Sequence, residues 1–365
     1  MKVAFIKTDL LNGLNIVSKA VASRSTSSIL ECVLIDAKDQ EVTLTANDTT
    51  LGIETKLMAH VIEPGQIAIE ARLFTEIIRK LPNSQIVLEL NDSQVNITCE
   101  NANFKIPYVS PEEFTSLPEI DKENYIKVSQ FTLKEVIRQT IFALSINDTN
   151  PLMTGELFEV FEDQLKIIAL DGHRIAIRTI MLGETYPYQK VIVPGKILNE
   201  VSKILTGEHE RYVTIYFSQN HICFEFDETV VVSRLIEGEY FRIEQMLSAD
   251  YITSIEANKQ DLLSAIERST LLVKESDKKP LIFTIQDQKM NLLMNSSRGT
   301  MQEDIEVVQL GDDIQIAFNP RFLIEALKAI DDERITIYTI NSKAPCFIKD
   351  KDENYIYLIL PVNFN

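Results

Sequence analysis

Runs with a two-residue apolar period flank three copies of the dipeptide Asp-Gln, at Asp39, Asp163 and Asp287, each 124 residues after the last. Val33-Leu34-Ile35 and Val42-Thr43-Leu44 bracket the first copy, Leu157–Val160 and Leu165–Ile167 the second, Ile282–Ile285 and Met290–Leu292 the third. A polar pair between alternating runs predicts a β-hairpin. Ahead of each hairpin the spacing becomes helical, with Leu10, Leu14 and Val17, then Val136, Ile137, Ile141 and Leu144, then a run anchored by Asp261-Leu262-Leu263. Behind each hairpin a second helix is centred on Glu76, Glu200 or Glu325. Three residues before each glutamate stands Leu73, Ile197 or Phe322, and three after it Arg79, Lys203 or Lys328. Strands follow at 86–90, 213–217 and 335–340. The landmarks agree within a few residues. The chain therefore reads as three copies of one α+β unit, two helices packed on antiparallel sheet, with domains at 1–122, 126–246 and 250–365.

The six helices are expected at 8–22, 70–81, 131–145, 194–205, 257–273 and 319–330. The first linker, Pro107 to Tyr125, contains Pro107, Pro111 and Pro118 and reads as a plain exposed connector. The second, Glu237 to Asp250, carries Tyr240, Phe241, Ile243, Met246 and Leu247, so it must lie on something, and the groove between the second and third repeats is the expected place.

Composition changes this picture little: of 365 residues, 45% are apolar and 25% charged, as in ordinary globular protein. Charge changes it more. A net charge of −18 argues against a surface that grips phosphate everywhere, but the six helices together sum to +4 and the remainder to −22. Either helices simply favour Lys and Arg, or all six line one mildly positive surface that meets a polyanion without reading its sequence. No apolar stretch approaches the roughly 20 residues of a membrane helix, and the N-terminus lacks signal-peptide features. Cys32, Cys99, Cys223 and Cys346 lie far apart with no CxxC pair, against a zinc site or a disulfide framework. A cytoplasmic protein is the expectation.

Enzyme motifs are missing: there is no Gly-x-Gly, no Gly-x-Ser-x-Gly and no His-Glu-x-x-His, and Gly195-Lys196 lacks the upstream glycine of a P-loop. Asp171-Gly172-His173-Arg174 is the one conspicuous polar cluster. It reads either as an Asp-oriented histidine base or as a tight turn between strands at 167–170 and 175–179, with the turn favoured.

The threefold plan, with Met1-Lys2, Leu30, Ala71-Arg72, Asp171-Gly172-His173-Arg174, Val191-Ile192-Val193-Pro194, Phe318-Asn319 and Leu360-Pro361, resembles the bacterial DNA polymerase III beta subunit family, the sliding clamps, over essentially the whole chain. The resemblance implies three clamp domains per chain and a head-to-tail homodimer closed into a ring, its helices lining a hole for double-stranded DNA. It implies a non-catalytic processivity factor without cofactor or metal. Its partners would be the replicative DNA polymerase, a clamp loader and other proteins with a clamp-binding motif, in the cytoplasm at the nucleoid and with no membrane role. An acidic repeat scaffold unrelated to DNA is the alternative.

The family's partner-peptide pocket maps to Met153, Gly172, His173, Arg174, Ile175, Phe241, Gln245, Met246, Asn319, Phe322, Pro345, Leu358, Leu360, Pro361 and Val362. Leu170, Phe241 and Gln245 depart from the family's frequent Thr, Pro and Arg, and the tail Val362-Asn363-Phe364-Asn365 runs slightly long. DNA phosphates are expected at Arg24, Arg72, Arg79, Lys196, Lys203, Arg268 and Lys328. The dimer contact is expected at Phe104 and Ile106 on one edge, facing Leu271, Leu272, Glu303 and Asp304 on the other.

Overall fold

The computed structural model describes residues 1–91, 94–146, 149–247, 250–273 and 279–364; Ser248 and Ala249 of the second linker, and the tail residue Asn365, lie outside them. Two compact units result. Unit 1 is Met1–Thr132 with Glu200–Leu235, and unit 2 is Leu133–Asn199 with Ile236–Asn365. The units do not follow the repeats, because sheets run on from one repeat into the next.

The helices are α1 (Lys7–Val17), α2 (Ala71–Lys80), α3 (Gln130–Thr140), α4 (Gly195–Ile204), the short α5 (Glu244–Leu247), α6 (Lys259–Thr270) and α7 (Pro320–Ala329). The six longer ones fall where the periodicity puts them. Both α1 and α3 stop early and continue as single 3-10 turns, Ser18–Ala20 and Ile141–Ala143. Side chains set several starts: Glu70 accepts from the Arg72 and Leu73 amides, Asn258 from Asp261, and Asn319 from Arg321, the last just before Pro320. Each repeat also opens with a strand that the helical spacing does not reveal, Lys2–Ile6, Tyr125–Ser129 and Thr253–Asn258.

Two of the expected hairpins are tight. Lys38 pairs with Glu41 around Asp39, and Gln286 with Lys289 around Asp287, both aspartates at φ 53°. In the second repeat Gly155–Leu170 is extended throughout, but Glu162 has the same φ of 53° and the register against Arg174–Pro194 shifts on either side of it.

In unit 1 an eight-stranded sheet joins repeats one and two: Thr229–Arg234 pairs with Leu51–Met58, Val232 opposite Gly52, and a Thr55–Thr229 hydroxyl pair is buried there at 2.9 Å. In unit 2 a seven-stranded sheet joins repeats two and three: Arg174–Pro194 pairs with Tyr355–Ile359, Ile175 opposite Leu358. Among the described residues the remaining sheets end on strands paired on one side only, His60–Glu63 and Ala102–Pro107 in unit 1, Gly299–Glu306 and Ile314–Phe318 in unit 2.

The first linker is not the plain exposed connector expected. Val109 bridges to Ala68, Phe114 packs on a small cluster with Ile29 and Cys32, and Asn47 donates to the Thr115 carbonyl at 3.2 Å. Leu117 lies so close to Gly52 that a Cβ there would stand 2.1 Å from it. The apolar residues between the prolines make it a strap. The second linker packs as expected: Tyr240 and Ile243 are buried, and the Tyr240 hydroxyl donates to the Gly155 or Ile168 carbonyl at 3.3 and 3.1 Å.

Glu156 is fully buried where α3 ends. The Thr140 hydroxyl lies 2.8 Å from the Val136 carbonyl and 2.9 Å from Glu156 Oε1. One hydroxyl proton cannot serve both acceptors. With the carbonyl taking it, the contact to Glu156 requires a carboxyl proton. Burial pushes the acid up to about 8. Because the folded-state value is raised, the protonated acid favours folding at low pH, and stability falls as pH rises from the usual carboxylate range to about 8. Glu156→Gln is expected to flatten that slope and to stabilise the protein at pH 8 by at least about 1 kcal/mol, read from denaturant melts at pH 5 and pH 8; an unchanged slope would mean that Glu156 is ionised in the fold.

Candidate functional site

The Asp171–Arg174 cluster is a turn. Leu170 pairs with Ile175, Gly172 sits at φ 80°, and Asp171 Oδ1 accepts from the His173 and Arg174 amides at 3.0 and 3.2 Å. The aspartate thus holds backbone and does not orient the imidazole, whose ring stacks on Phe322 at 6.0 Å. Arg174 turns inward and is buried. Its guanidinium bonds Asp171 Oδ2 at 2.9 Å, pairs with Glu325 of α7, donates to the Phe142 carbonyl and lies 4.5 Å over the Phe322 ring. Arg174 therefore ties this turn to α7, and its guanidinium is already occupied by these partners.

Beside the turn lies a groove of about 560 Å³. Nine of the fifteen expected pocket residues line it: Met153, Gly172, His173, Arg174, Ile175, Phe241, Met246, Leu358 and Leu360. Arg242 and Ile243, outside the expected set, line it too, as does Leu170, noted above only as a departure from the family. Ile243 could have been found, since with Tyr240 and Met246 it recurs every third residue along the linker. The groove's floor is a packed cluster in which Leu170, Ile175, Ile243 and Leu358 are buried, while Met246 stays 40% exposed at the rim. The other six expected residues stand around it. Phe322 backs His173, Asn319 caps α7, Val362 donates to the Ala317 carbonyl, and Pro345 precedes Cys346, the partner of Ile359. Gln245 lies on α5, and Pro361 follows Leu360, whose amide donates to the His173 carbonyl. A mostly apolar groove with a few polar groups at its edge suits a short peptide.

The expected DNA-facing bases are all exposed. Four are already in ion pairs: Arg79 with Glu76, Lys203 with Glu200, Lys328 with Glu267 and Arg268 with Glu303. No carboxylate pairs with Arg24, Arg72 or Lys196 among the described residues. Arg24 lies in the loop beyond α1 rather than on a helix. Arg268 meets Glu303 on the edge strand Gly299–Glu306, which joins two candidates assigned to different roles. Of the expected dimer residues, Phe104 is 40% and Leu271 74% exposed, whereas Ile106 is only 7% exposed and packs in its own sheet. Leu272 is partly covered by the core of unit 2, and Asp304 accepts from Asn291 at 2.6 Å.

The four cysteines are buried and free, and no group of His, Cys, Asp and Glu suited to a metal occurs among the described residues. No helix among them is long and apolar enough to cross a membrane.

Three family models match in sequence along the chain: the N-terminal domain of the DNA polymerase III beta subunit over residues 1–118, its central domain over 127–241 and its C-terminal domain over 244–363. The chain belongs to the DNA polymerase III beta subunit family, the sliding clamps, and its function is that of a non-catalytic processivity factor in DNA replication. It is 31% identical to the beta sliding clamp of Staphylococcus epidermidis over 370 residues, 98% of each chain. A DNA polymerase III beta subunit from Eubacterium rectale superposes over all of both chains with a TM-score of 0.97 at 54% identity, and the Bacillus subtilis sliding clamp does so with 0.97 at 30%.

Arg174→Ala leaves Glu325 with Arg321 alone and Asp171 with its two backbone amides, and is expected to cost about 2 kcal/mol in a denaturant melt. A loss below about 1 kcal/mol would show the ion pairs to be incidental.

Proposed function

We propose that two copies of this chain close head to tail into a ring around duplex DNA, and that polymerase and loader segments dock in the groove beside the Asp171 turn. The internal symmetry of the strand pairing carries the first part. Thr229–Arg234 covers the edge offered by Leu51–Met58, and Tyr355–Ile359 covers that offered by Arg174–Pro194. The third such edge is Gly299–Glu306, and the one covering strand left over is Ala102–Pro107. Within one chain each remains half-paired, and half-paired edges are a liability that a second copy removes. Each edge finds the other kind of edge, so the contact is heterologous, and it closes when two arcs complete a circle.

Carrying over the observed register, Val232 opposite Gly52 and Leu358 opposite Ile175, sets Phe104 opposite the partner's Met301, with Ala102 opposite Glu303. Topology rather than affinity then retains the DNA, which is compatible with a net charge of −18 and with surface bases already half-neutralised by glutamates. Such a clamp works at the chromosome, in the cytoplasm.

Phe104→Ala is expected to weaken the dimer by roughly 1–3 kcal/mol per contact, measured by sedimentation; an unaltered dissociation constant would take Phe104 out of the interface. Loaded protein should stay on circular DNA and run off linear DNA, and equal escape from both would contradict encirclement. A fluorescent peptide with a Gln and two or three large apolar residues should bind Met246→Ala about 1 kcal/mol more weakly, since Met246 is only partly covered before binding. Unchanged affinity there would move the docking site elsewhere.

A further inference from the structure

We propose that unit 1 carries a second docking groove, made by the same strand junction one repeat earlier, and that it takes a short peptide segment bearing a carboxylate in place of an apolar one. The proposal rests on reading the groove beside Asp171 as a peptide site. The turns of the two grooves correspond at a spacing of 123 and their covering strands at 126. Asp48 turns the chain as Asp171 does, its Oδ1 accepting from the Thr50 and Leu51 amides at 2.9 and 2.8 Å. Thr49 takes the left-handed conformation of Gly172, φ 76° against 80°. Val232 pairs with Gly52 as Leu358 pairs with Ile175, and the Arg234 amide donates to the Thr50 carbonyl as the Leu360 amide does to that of His173.

The chemistry has been exchanged along that frame. The unit 1 groove, open to solvent, spans about 760 Å³, and Asn47 stands in it for Leu170, Gly52 for Ile175 and Arg234 for Leu360. Leu117 of the strap fills the space above Gly52, so the apolar floor is supplied already by the chain itself. The lining includes hydroxyls from Thr49, Thr50, Thr115 and Ser116, one imidazole and one guanidinium, and no carboxylate. Arg234 is exposed and has no carboxylate partner among the described residues. His221, opposite it on the neighbouring strand, is held below the usual histidine range by burial and then by Arg234, so it remains a neutral hydrogen-bonding group. A single unpaired guanidinium among neutral donors and acceptors matches one carboxylate on an extended segment. A nucleic acid strand, with a charge at every step, would find only this one cation in the groove.

The test uses the full chain with labelled Thr, Val, Leu and Met methyl groups. It is titrated in turn with acetyl-Ala-Asp-Leu-Ser-amide, with the same peptide carrying Asn for Asp, and with inorganic phosphate. The Asp peptide should shift the Thr49, Thr50 and Val232 methyl signals, with roughly five-fold weaker binding for the Asn peptide and for the Arg234→Gln chain. Equal binding of the two peptides, no effect of Arg234→Gln, or no shift at these methyls overturns the proposal. Phosphate acting at lower concentration than the peptide would make this an ion site and overturn it as well. The apolar Gln-bearing peptide serves as the second arm and should shift Met153, Met246 and Leu360 while leaving Thr49 and Thr50 unmoved. Its failure there while the Asp peptide moves Thr49 would remove the peptide reading of the unit 2 groove and leave this one standing.

Discussion

The constraint on which everything else depends is that a β-strand with an unpaired edge needs a partner. Each repeat makes one strand that offers such an edge and another that can cover one. Within the chain, two of these needs are met by neighbouring repeats, which is why sheets cross repeat boundaries and why the compact units cut through the middle repeat. The helices are then carried in pairs on these sheets, α1 beside α2 in unit 1 and α6 beside α7 in unit 2. The grooves lie where one repeat's strand meets the next repeat's strand, because there a turn, a linker and a covering strand converge.

Most of the architecture could be read from the residues. Helical spacing located six helices because their buried stripes, such as Phe74, Ile77 and Ile78 on α2, are long enough to establish a period. The opening strands escaped because five or six residues with two buried positions, as in Tyr125–Ser129, carry too little pattern, and the backbone pairing that forms them is non-local. The strap was misjudged for a related reason. Prolines mark a break in regular structure, but they say nothing about whether Phe114 and Leu117 find a surface to lie on.

The groove was legible mainly through family resemblance, with nine of its residues in place. Bottom-up reading identified the Asp171 turn and the apolar linker but not what Arg174 does. Leu51 occupies the corresponding place in the first repeat and is simply buried, so the site accepts an apolar residue. Nothing in the local sequence announces that its counterpart is a guanidinium with a partner 151 residues away in α7. Long-range ion pairs of this kind are invisible to spacing.

The contact between Leu117 and Gly52 has a consequence for degradation. A protease must draw several residues of backbone into an extended, accessible stretch before it can cut. The strap looks like the obvious place, a proline-rich run rich in exposed polar groups. Its anchors at Val109, Phe114, Thr115 and Leu117 tie it to the sheet, so cleavage near Leu117 requires a local opening that also uncovers Gly52. The segment that reads as the weakest in the chain is in this way fastened to the sheet it crosses.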